Sequence, residues 1–447
     1  MAASSGASSS AAALGPDVTR LASISKRSRG HASRDLWLTY SRQSALPPLY
    51  SAQVTTWDHK NLQPKLTTMQ VLPIHELLDH LVQEGEEATW CQAKPNQQGF
   101  LTELHAWGAR MGVDTSSNHW CPIGLWGDSA PSFKKDSVFL LTWRALLGNI
   151  PTRYWFATFS KRSICKCGCK GRHTLNDLFE VVAWSMRALL TGEYPRVDHA
   201  HQPFPRGTFR GDLAGTPLKV HGAVLAKAGD WAWFKQALNL RSWSGEGTDL
   251  KICWICEASR HGECPCFDFT RNAAWRRTSV TNQSFFAQAY GAGEFVSPIF
   301  AIPGFSIEYC KPDFMHTCCL GVVQYCSGSC LWELFQELHG TRRNWASACG
   351  EIENMMKLAA KALGMDPPFN GLTLGMIRKE GAGKKPKLAL KAAEGRHFVP
   401  VLHHMLANFF PVDTPYKQTR LDCVGSLKRI YEEIANWDDT TSPPAPG

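Results

Sequence analysis

The stretch VHGAVLAKAGDWAWFKQALNL (220–240) predicts a buried strand that ends in Asp230 and is followed directly by a helix. Three further apolar runs of strand length lie upstream, and the first of them ends in Asp128. An amphipathic segment separates these runs from 220–240 and predicts a longer helix. The runs are IGLWGD (123–128), SVFLLTWRALL (137–147) and RYWFATFS (153–160), and the amphipathic segment is TLNDLFEVVAWSMRALLTG (174–192).

The predicted element order is strand, strand, strand, helix, strand, with an aspartate closing the first and fourth strands. An RNase H-like core has this order, and its first and fourth strands lie side by side. Asp128 and Asp230 would then share a divalent cation, and hard carboxylates with open water positions suit Mg²⁺ or Mn²⁺. A Gly-Asp pair after a strand is also a common turn, so the prediction depends on the element order and on both pairs together.

Local signals also predict where the long helix begins and ends. Thr174 is a residue type that caps helix N-termini, and Gly192 is the type that ends helices.

From the element order we predict a mixed α/β fold: an RNase H-like core with helices flanking a mixed sheet, a cysteine-rich zinc insertion and a helical C-terminal part. The predicted regions are a disordered basic Ser/Ala-rich tail (1–34), a mostly helical lead-in (35–115), the first part of the core (116–250), the cysteine-rich insertion (251–300), a helical region completing the core (301–436) and a disordered tail (437–447).

Two segments carry the whole net charge of +9. Residues 1–34 have an excess of four positive charges and residues 376–397 an excess of five. Localised basic patches attract phosphate backbones, so we expect a DNA partner; a solvated lysine-rich loop is the alternative. No run of 18 apolar residues occurs, so no membrane span is expected. The predicted nucleic-acid contacts are Arg378, Lys379, Lys384, Lys385, Lys387 and Lys391.

The composition of residues 1–34 favours two cellular locations. KRSR (26–29) is typical of a weak nuclear localisation signal, and a nuclear protein is the first expectation. The same segment is rich in Ser and Arg and poor in acids, as organellar transit peptides are, so an organellar location is the alternative.

The sixteen cysteines indicate zinc sites rather than disulfides, because no signal peptide with an apolar core precedes them. Cys253-x2-Cys256-x4-His261-x4-Cys266 has the spacing of a zinc knuckle, with Cys264 as a spare ligand. A Cys-x-x-Cys turn lets two thiolates reach one tetrahedral ion. We therefore expect a reducing compartment and a zinc ion in this segment.

A second, tighter group is Cys165-x-Cys167-x-Cys169-x3-His173. Alternate residues of an extended chain point to opposite sides, so the three thiols meet one metal only if the loop bends, and Gly168 allows such a bend. Zinc is one expectation for this group, and reduced surface thiols are the other.

Four short motifs in order resemble the CACTA-type (En/Spm) transposases of the CMC superfamily. GAVLAKAGDWAWFKQALNLRSWSGEGTDLKICWIC (222–256) resembles that family's second catalytic Asp region, and GDSAPSFKKDSVFLLTW (127–143) its first. KPDFMHTCCLGVVQYCSG (311–328) is similar to its Asp-x-Met-His segment, and LKAAEGRHFVPVLHHML (390–406) to its later helical segment. The chain is thus identified as a degenerate or domesticated DDE transposase-like member. The resemblance implies these site residues: Asp128, Asp230, Asp313, His316 and, as third acid, Glu394.

The resemblance implies metal-dependent cleavage and strand transfer on DNA, with Mg²⁺ or Mn²⁺ held by Asp128, Asp230 and Glu394, and a homodimer as the acting form. His316 fits either a catalytic role or a structural hydrogen bond. The alternative function is a catalytically inactive, zinc-stabilised remnant that binds DNA or protein, and an unrelated zinc-stabilised interaction protein is a third. No P-loop, dinucleotide fingerprint or Gly-x-Ser-x-Gly motif supports another enzyme class.

Overall fold

A computed structural model describes residues 46–85, 88–133, 136–148, 152–240, 253–260, 262–291, 294–339, 345–377 and 385–435. The chain divides into two compact units at Tyr50, and the features below belong to the second, which runs from Tyr50 to Gly447. The two predicted tails, 1–34 and 437–447, lie outside the described residues.

The segment before the main sheet contains an antiparallel hairpin as well as helices, so the prediction of a mostly helical lead-in is wrong for residues 50–71. The first strand alternates buried and exposed residues, whereas the second is exposed along most of its length. A period of two fits a strand with one covered face. The elements here are β1 (Tyr50–Asp58), β2 (Gln63–Val71), α1 (Ile74–Glu84), α2 (Ala88–Cys91) and α3 (Gln98–Met111).

A five-stranded mixed sheet forms the centre of the unit, and the protein is a mixed α/β protein. Its strands lie in the order β5-β4-β3-β6-β7. The pairs β3–β4 and β4–β5 are antiparallel, and the pairs β3–β6 and β6–β7 are parallel. The first and fourth strands of this sheet are therefore neighbours, as the element order predicts. The strands are β3 (Trp120–Phe133), β4 (Asp136–Ala145), β5 (Tyr154–Ser160), β6 (His221–Gly229) and β7 (Cys310–Pro312).

Helices pack against the sheet, and the side chain of one tryptophan lies very close to the backbones of two strands. A Cβ atom added at Gly127 would lie 1.9 Å from the ring of Trp233, and one added at Gly229 would lie 2.3 Å from it. The indole therefore packs directly on the backbones of two adjacent strands, where only glycine leaves room. The helices of this half are α4 (Arg172–Thr191), α5 (Phe209–Leu213), α6 (Trp231–Leu238) and α7 (Asn282–Ala289).

The ends of α4 agree only in part with the sequence signals. Gly192 ends the helix in the left-handed conformation, which confirms that prediction. The predicted cap Thr174 is wrong, because the helix begins at Arg172 and Thr174 lies inside its first turn. Its hydroxyl donates to the carbonyl of Thr55 and accepts the N–H of Cys165, so it joins β1 to the loop after β5.

The C-terminal helices form an apolar core of their own. This second cluster consists of buried residues between Cys318 and Tyr431 and excludes the strands of the sheet. The prediction that residues 301–436 complete the core of the sheet therefore holds only for β7, which extends the sheet by one strand. The elements are a π-helical segment (Met315–Val322), α8 (Val323–His339), α9 (Trp345–Ala362), α10 (Leu374–Ile377), α11 (Ala392–Asn408) and α12 (Pro415–Ala435).

Lys227 places an amine inside the apolar layer between β6 and the helices. Its side chain is 1% exposed, and its Nζ lies 5.0 Å from the ring centroid of Phe179 and 5.2 Å from that of Trp233. Burial lowers its pKa to about 8, against a smaller opposing effect of Cys310. The two aromatic faces offset part of the desolvation cost of the charged form.

We expect Lys227→Met to stabilise the fold at neutral pH and to lose this advantage as pH rises. Below pH 8 the folded protein carries a charge that burial penalises by about 3 kcal/mol, and lost cation–π contacts of about 1 kcal/mol offset this on substitution. Unfolded lysine titrates near 10.4, so the penalty fades between about pH 8 and that value. Urea unfolding at pH 7 and pH 10 measures the change; a pH-independent difference would contradict it. Lys235→Met, an exposed position on α6, is the control.

Candidate functional site

The parallel pairing of β3 and β6 brings two predicted site residues to the same level of the sheet. Trp126 and Ala228 are Cα partners, and the register continued by two residues places Asp128 beside Asp230. β3 and β6 are still in contact one residue before the two aspartates, since a Cβ added at Gly229 would lie 2.9 Å from the carbonyl oxygen of residue 127. Paired strands are about 4.8 Å apart, so the two carboxylates belong to adjacent positions.

The next strand adds a third acid at the same level. Gly229 and Pro312 are Cα partners in the parallel pair β6–β7, and each is followed directly by an aspartate. The register therefore aligns Asp313 with Asp230, which is already aligned with Asp128. Three predicted site residues thus lie in one row across three neighbouring parallel strands.

Asp128 and Asp230 each have one carboxylate oxygen bound by a backbone N–H group. Oδ1 of Asp128 accepts the N–H of Ser129 at 2.6 Å, and the side chain is exposed. Oδ1 of Asp230 accepts the N–H of Trp233 at 2.6 Å, which makes Asp230 the N-cap of α6. Neither carboxylate forms a salt bridge with another described residue. The prediction that Asp128 ends its strand is wrong, because β3 continues to Phe133.

Asp313 and His316 are in direct contact. Oδ2 of Asp313 accepts the backbone N–H of His316 at 3.0 Å and contacts its Nδ1 atom. Both side chains are about one-third exposed. The carboxylate therefore fixes the imidazole ring at the start of the π-helical segment, which leaves Nε2 directed away from this contact.

Glu394 lies in the helical half, in the first turn of α11. Its Oε2 accepts the backbone N–H of Lys391 at 2.8 Å, and Nζ of Lys391 lies 4.0 Å from its Oε1. Among the described residues, neither Asp128, Asp230 and Glu394 nor Asp128, Asp230 and Asp313 form a group whose ligand atoms all lie within 4.8 Å of one another. The structure thus aligns Asp313, and not Glu394, with the other two acids.

One group of side chains has its possible ligand atoms all within 4.8 Å of one another, and it is the only one within the described parts of the chain. It consists of Cys165, Cys167, Cys169 and His173, and it could hold a metal ion such as zinc. The Sγ atoms of Cys165 and Cys167 are 3.4 Å apart, and Nδ1 of His173 lies 3.7 Å and 3.4 Å from them. Four ligands around zinc, with bonds of about 2.0–2.3 Å, are separated by roughly 3.3–3.8 Å. Gly168, at φ 96°, supplies the predicted bend.

The loop that carries this cluster is tied to three elements. Cys165 donates its N–H to Thr174 on α4, and Ile164 forms a bridge with Thr56 of β1. Nε2 of Gln236 donates to the carbonyl of Lys170 at 3.1 Å. The last contact links the loop to α6, the helix whose N-cap is Asp230. Burial raises the pKa of the Cys165 thiol to about 12, so this sulfur keeps its proton at neutral pH when no cation is bound.

The second cysteine segment folds back on itself beside β7. The N–H of Ser259 donates to the carbonyl of Cys264 at 2.9 Å, and the N–H of Cys266 donates to the carbonyl of Ser259 at 2.7 Å. Burial raises the pKa of Cys256 to about 11, and the neighbouring Cys253 and Cys264 thiols contribute further. These thiols are neighbours but do not meet the 4.8 Å criterion among the described residues. The predicted ligand His261 lies outside the described residues.

The predicted basic patch is described only at its C-terminal end. Lys385, Lys387 and Lys391 are exposed, and Nζ of Lys387 lies 5.3 Å from the ring centroid of Tyr325. The other predicted contacts, Arg378, Lys379 and Lys384, lie outside the described residues. No described helix combines the length and the apolar character that a membrane crossing requires.

Comparison with known proteins gives no family assignment: no protein-family model matches the chain, and no curated protein matches it.

Proposed function

We propose that this protein carries an RNase H-like core of the DDE transposase type, which cleaves and joins DNA phosphodiester bonds with the help of divalent cations. The row of Asp128, Asp230 and Asp313 across three parallel strands is the observation that carries the proposal. The arrangement expected of such a core, with its first and fourth strands side by side, agrees with the pairing of β3 and β6.

The donor set of this row fits Mg²⁺ or Mn²⁺. All three side chains offer hard carboxylate oxygens, and Asp128 and Asp230 are free of competing cationic side chains among the described residues. Bound cations would polarise the scissile phosphate and lower the pKa of the attacking water or 3′-hydroxyl. Asp313 would orient His316, so that Nε2 could exchange a proton with the leaving oxygen or with water.

We further propose that the cluster of Cys165, Cys167, Cys169 and His173 binds a structural zinc ion. All four ligand positions come from the protein, as in closed structural sites, and the loop contacts the helix that Asp230 caps. The segment with Cys253, Cys256, Cys264 and Cys266 is proposed as a second zinc site. The homodimer and the nuclear or organellar location stay predictions.

Cleavage by the full-length protein tests the proposed function. We expect a supercoiled plasmid to be nicked in Mn²⁺ and to remain intact when no Mn²⁺ or Mg²⁺ is added. Asp230→Asn should abolish nicking without loss of stability, because asparagine caps helix N-termini as well as aspartate does. Asp366→Asn, an exposed position after α9, is the matched control.

If Mn²⁺ produces no nicking although the protein binds DNA, the catalytic proposal is wrong, and the binding remnant takes its place. Nicking that survives in both Asp230→Asn and Asp128→Asn would show that other residues, or a contaminating nuclease, hold the metal.

A further inference from the structure

Two arginines stack on Trp126, which belongs to the same strand as Asp128. The guanidinium carbon of Arg144 lies 5.1 Å from the ring centroid of Trp126, and that of Arg153 lies 5.0 Å from it. Arg144 belongs to β4, and Arg153 immediately precedes β5. The indole thus holds two positive charges together on the surface of the sheet.

Neither arginine has an acidic partner among the described residues. Arg144 is partly buried, and its Nε atom is buried without an acceptor. Burial, followed by the charge of Arg153, lowers the pKa of Arg144. A pair of like charges, one of them desolvated and lacking a hydrogen-bond acceptor, is costly by itself and is stabilised when an anion binds between its members.

The backbone fixes where this pair lies. A Cβ added at Gly124 would lie 2.3 Å from the Trp126 ring, so the indole lies flat along β3 over a residue without a side chain. Trp126 and Asp128 are two residues apart on one strand, and they therefore face the same side of the sheet about 7 Å apart. The ring reaches back to Gly124, whose Cα partner is Arg144, so the arginine pair lies at the level of Gly124, about four residues or roughly 13 Å along β3 from Asp128.

We propose that Arg144 and Arg153, held on Trp126, form a subsite for one phosphate group of a nucleic-acid backbone, at a distance along β3 from the phosphate that reacts at Asp128. This inference rests on the proposed function, because it assigns a substrate contact to the same site. Guanidinium groups suit the task, since their planar donors bind phosphate oxygens in pairs and their planes stack on aromatic rings.

Binding of a labelled single strand of about 20 nucleotides in buffer without added Mg²⁺ or Mn²⁺, followed by fluorescence anisotropy, tests the subsite without catalysis and leaves the proposed zinc in place. Arg153→Gln is the main test variant, because Arg153 is exposed and its substitution should not unfold the protein. We expect Arg144→Gln and Arg153→Gln each to weaken binding by about 10- to 150-fold, as is typical of a lost charge-assisted contact. The slope of log affinity against log salt should fall by about 0.7, the value for one phosphate of a single strand.

Two further variants separate charge from geometry. Arg187→Gln removes an exposed arginine of α4 and should change neither the affinity nor the slope by a comparable amount. Trp126→Leu keeps both charges but removes the platform, so it should weaken binding as the Arg153 variant does. Thermal melting of each variant verifies that it is folded.

The outcomes distinguish the subsite from the catalytic proposal. If the arginine variants bind like the wild type with an unchanged slope, the subsite is refuted, whether or not the protein cleaves DNA. If binding falls as expected although no metal-dependent cleavage occurs, the subsite stands and the catalytic proposal fails.

Inorganic pyrophosphate serves as the competitor: displacement of the strand only at millimolar concentration supports a backbone site, and a much tighter pyrophosphate complex would overturn it in favour of a small phosphate ligand.

Discussion

Asp313→Asn is expected to reduce metal-dependent DNA cleavage by about 1,000-fold or more, whereas Glu394→Gln should leave the rate within about threefold of the wild type. Loss of a metal-holding carboxylate removes several kcal/mol of transition-state stabilisation, and each 1.4 kcal/mol is a factor of ten in rate. The register aligns Asp313 with Asp230, while Glu394 is engaged by the backbone of Lys391 at the start of α11. Initial rates of plasmid nicking in Mn²⁺ measure the difference.

Two controls make this comparison specific. Asp313→Asn also alters the contact to His316, so His316→Gln is assayed beside it. A smaller loss is expected in the histidine variant, because it leaves the metal-holding carboxylate in place, whereas Asp313→Asn removes that carboxylate and the partner of His316 together. Glu394→Gln keeps a side-chain oxygen that can accept the backbone N–H of Lys391. A cleavage-deficient Glu394 variant together with an active Asp313 variant would reverse the assignment and would require α11 to approach the sheet.

The sequence was sufficient to predict four of the five strands of the sheet, including the two that position Asp128 and Asp230. Apolar runs of strand length mark β3, β4, β5 and β6, and the parallel neighbours β3 and β6 follow from their order along the chain. The alignment of Asp313 was not predictable in the same way. β7 has only three residues, of which the first is buried and the next two are exposed. It therefore contains no apolar run from which a strand could be predicted. Its place in the sheet depends on pairing with β6, which is a tertiary property.

Errors at β3 and in the lead-in have a related cause. The apolar run of β3 ends near Asp128, but antiparallel pairing with β4 extends the strand to Phe133. The hairpin at 50–71 was missed because β2 is exposed and lacks the alternation that β1 shows. β2 and the end of β3 are strands because they form hydrogen bonds with a neighbouring strand, and not because their side chains are buried. A hydrophobic pattern in the sequence therefore cannot predict them.

The arginine pair had a sequence signal that composition alone does not reveal. Arg144 interrupts the otherwise apolar run 137–147, and a charged residue within a half-buried strand needs a partner or a ligand. Its partner Trp126 belongs to another strand, and Arg153 lies across the next hairpin. The cluster therefore became visible only once the pairing of β3, β4 and β5 was known.

Cys167→Ser is expected to remove one zinc ion per chain and to lower the melting temperature by about 5 °C. A metal present at 1,000 times its dissociation constant stabilises the folded state by about 4 kcal/mol. The unfolding entropy is about 2.1 cal/mol/K per residue, so in a unit that runs from Tyr50 to Gly447, 1 kcal/mol corresponds to about 1 °C. Cys167 is exposed, so exchange of its sulfur for oxygen should cost little apart from the metal bond. Zinc per chain is measured by elemental mass spectrometry and stability by calorimetry.

Cys423→Ser, an exposed thiol on α12 outside both cysteine segments, is the matched control and should retain the wild-type zinc content. The loop of the cluster contacts α6 through Lys170 and Gln236, so loss of the metal should also speed amide hydrogen exchange in α6, whose first turn Asp230 caps. Faster exchange in α6 together with reduced cleavage would link the zinc loop to the placement of the second acid. Unchanged zinc content in Cys167→Ser would instead mean that the four side chains are close without sharing an ion.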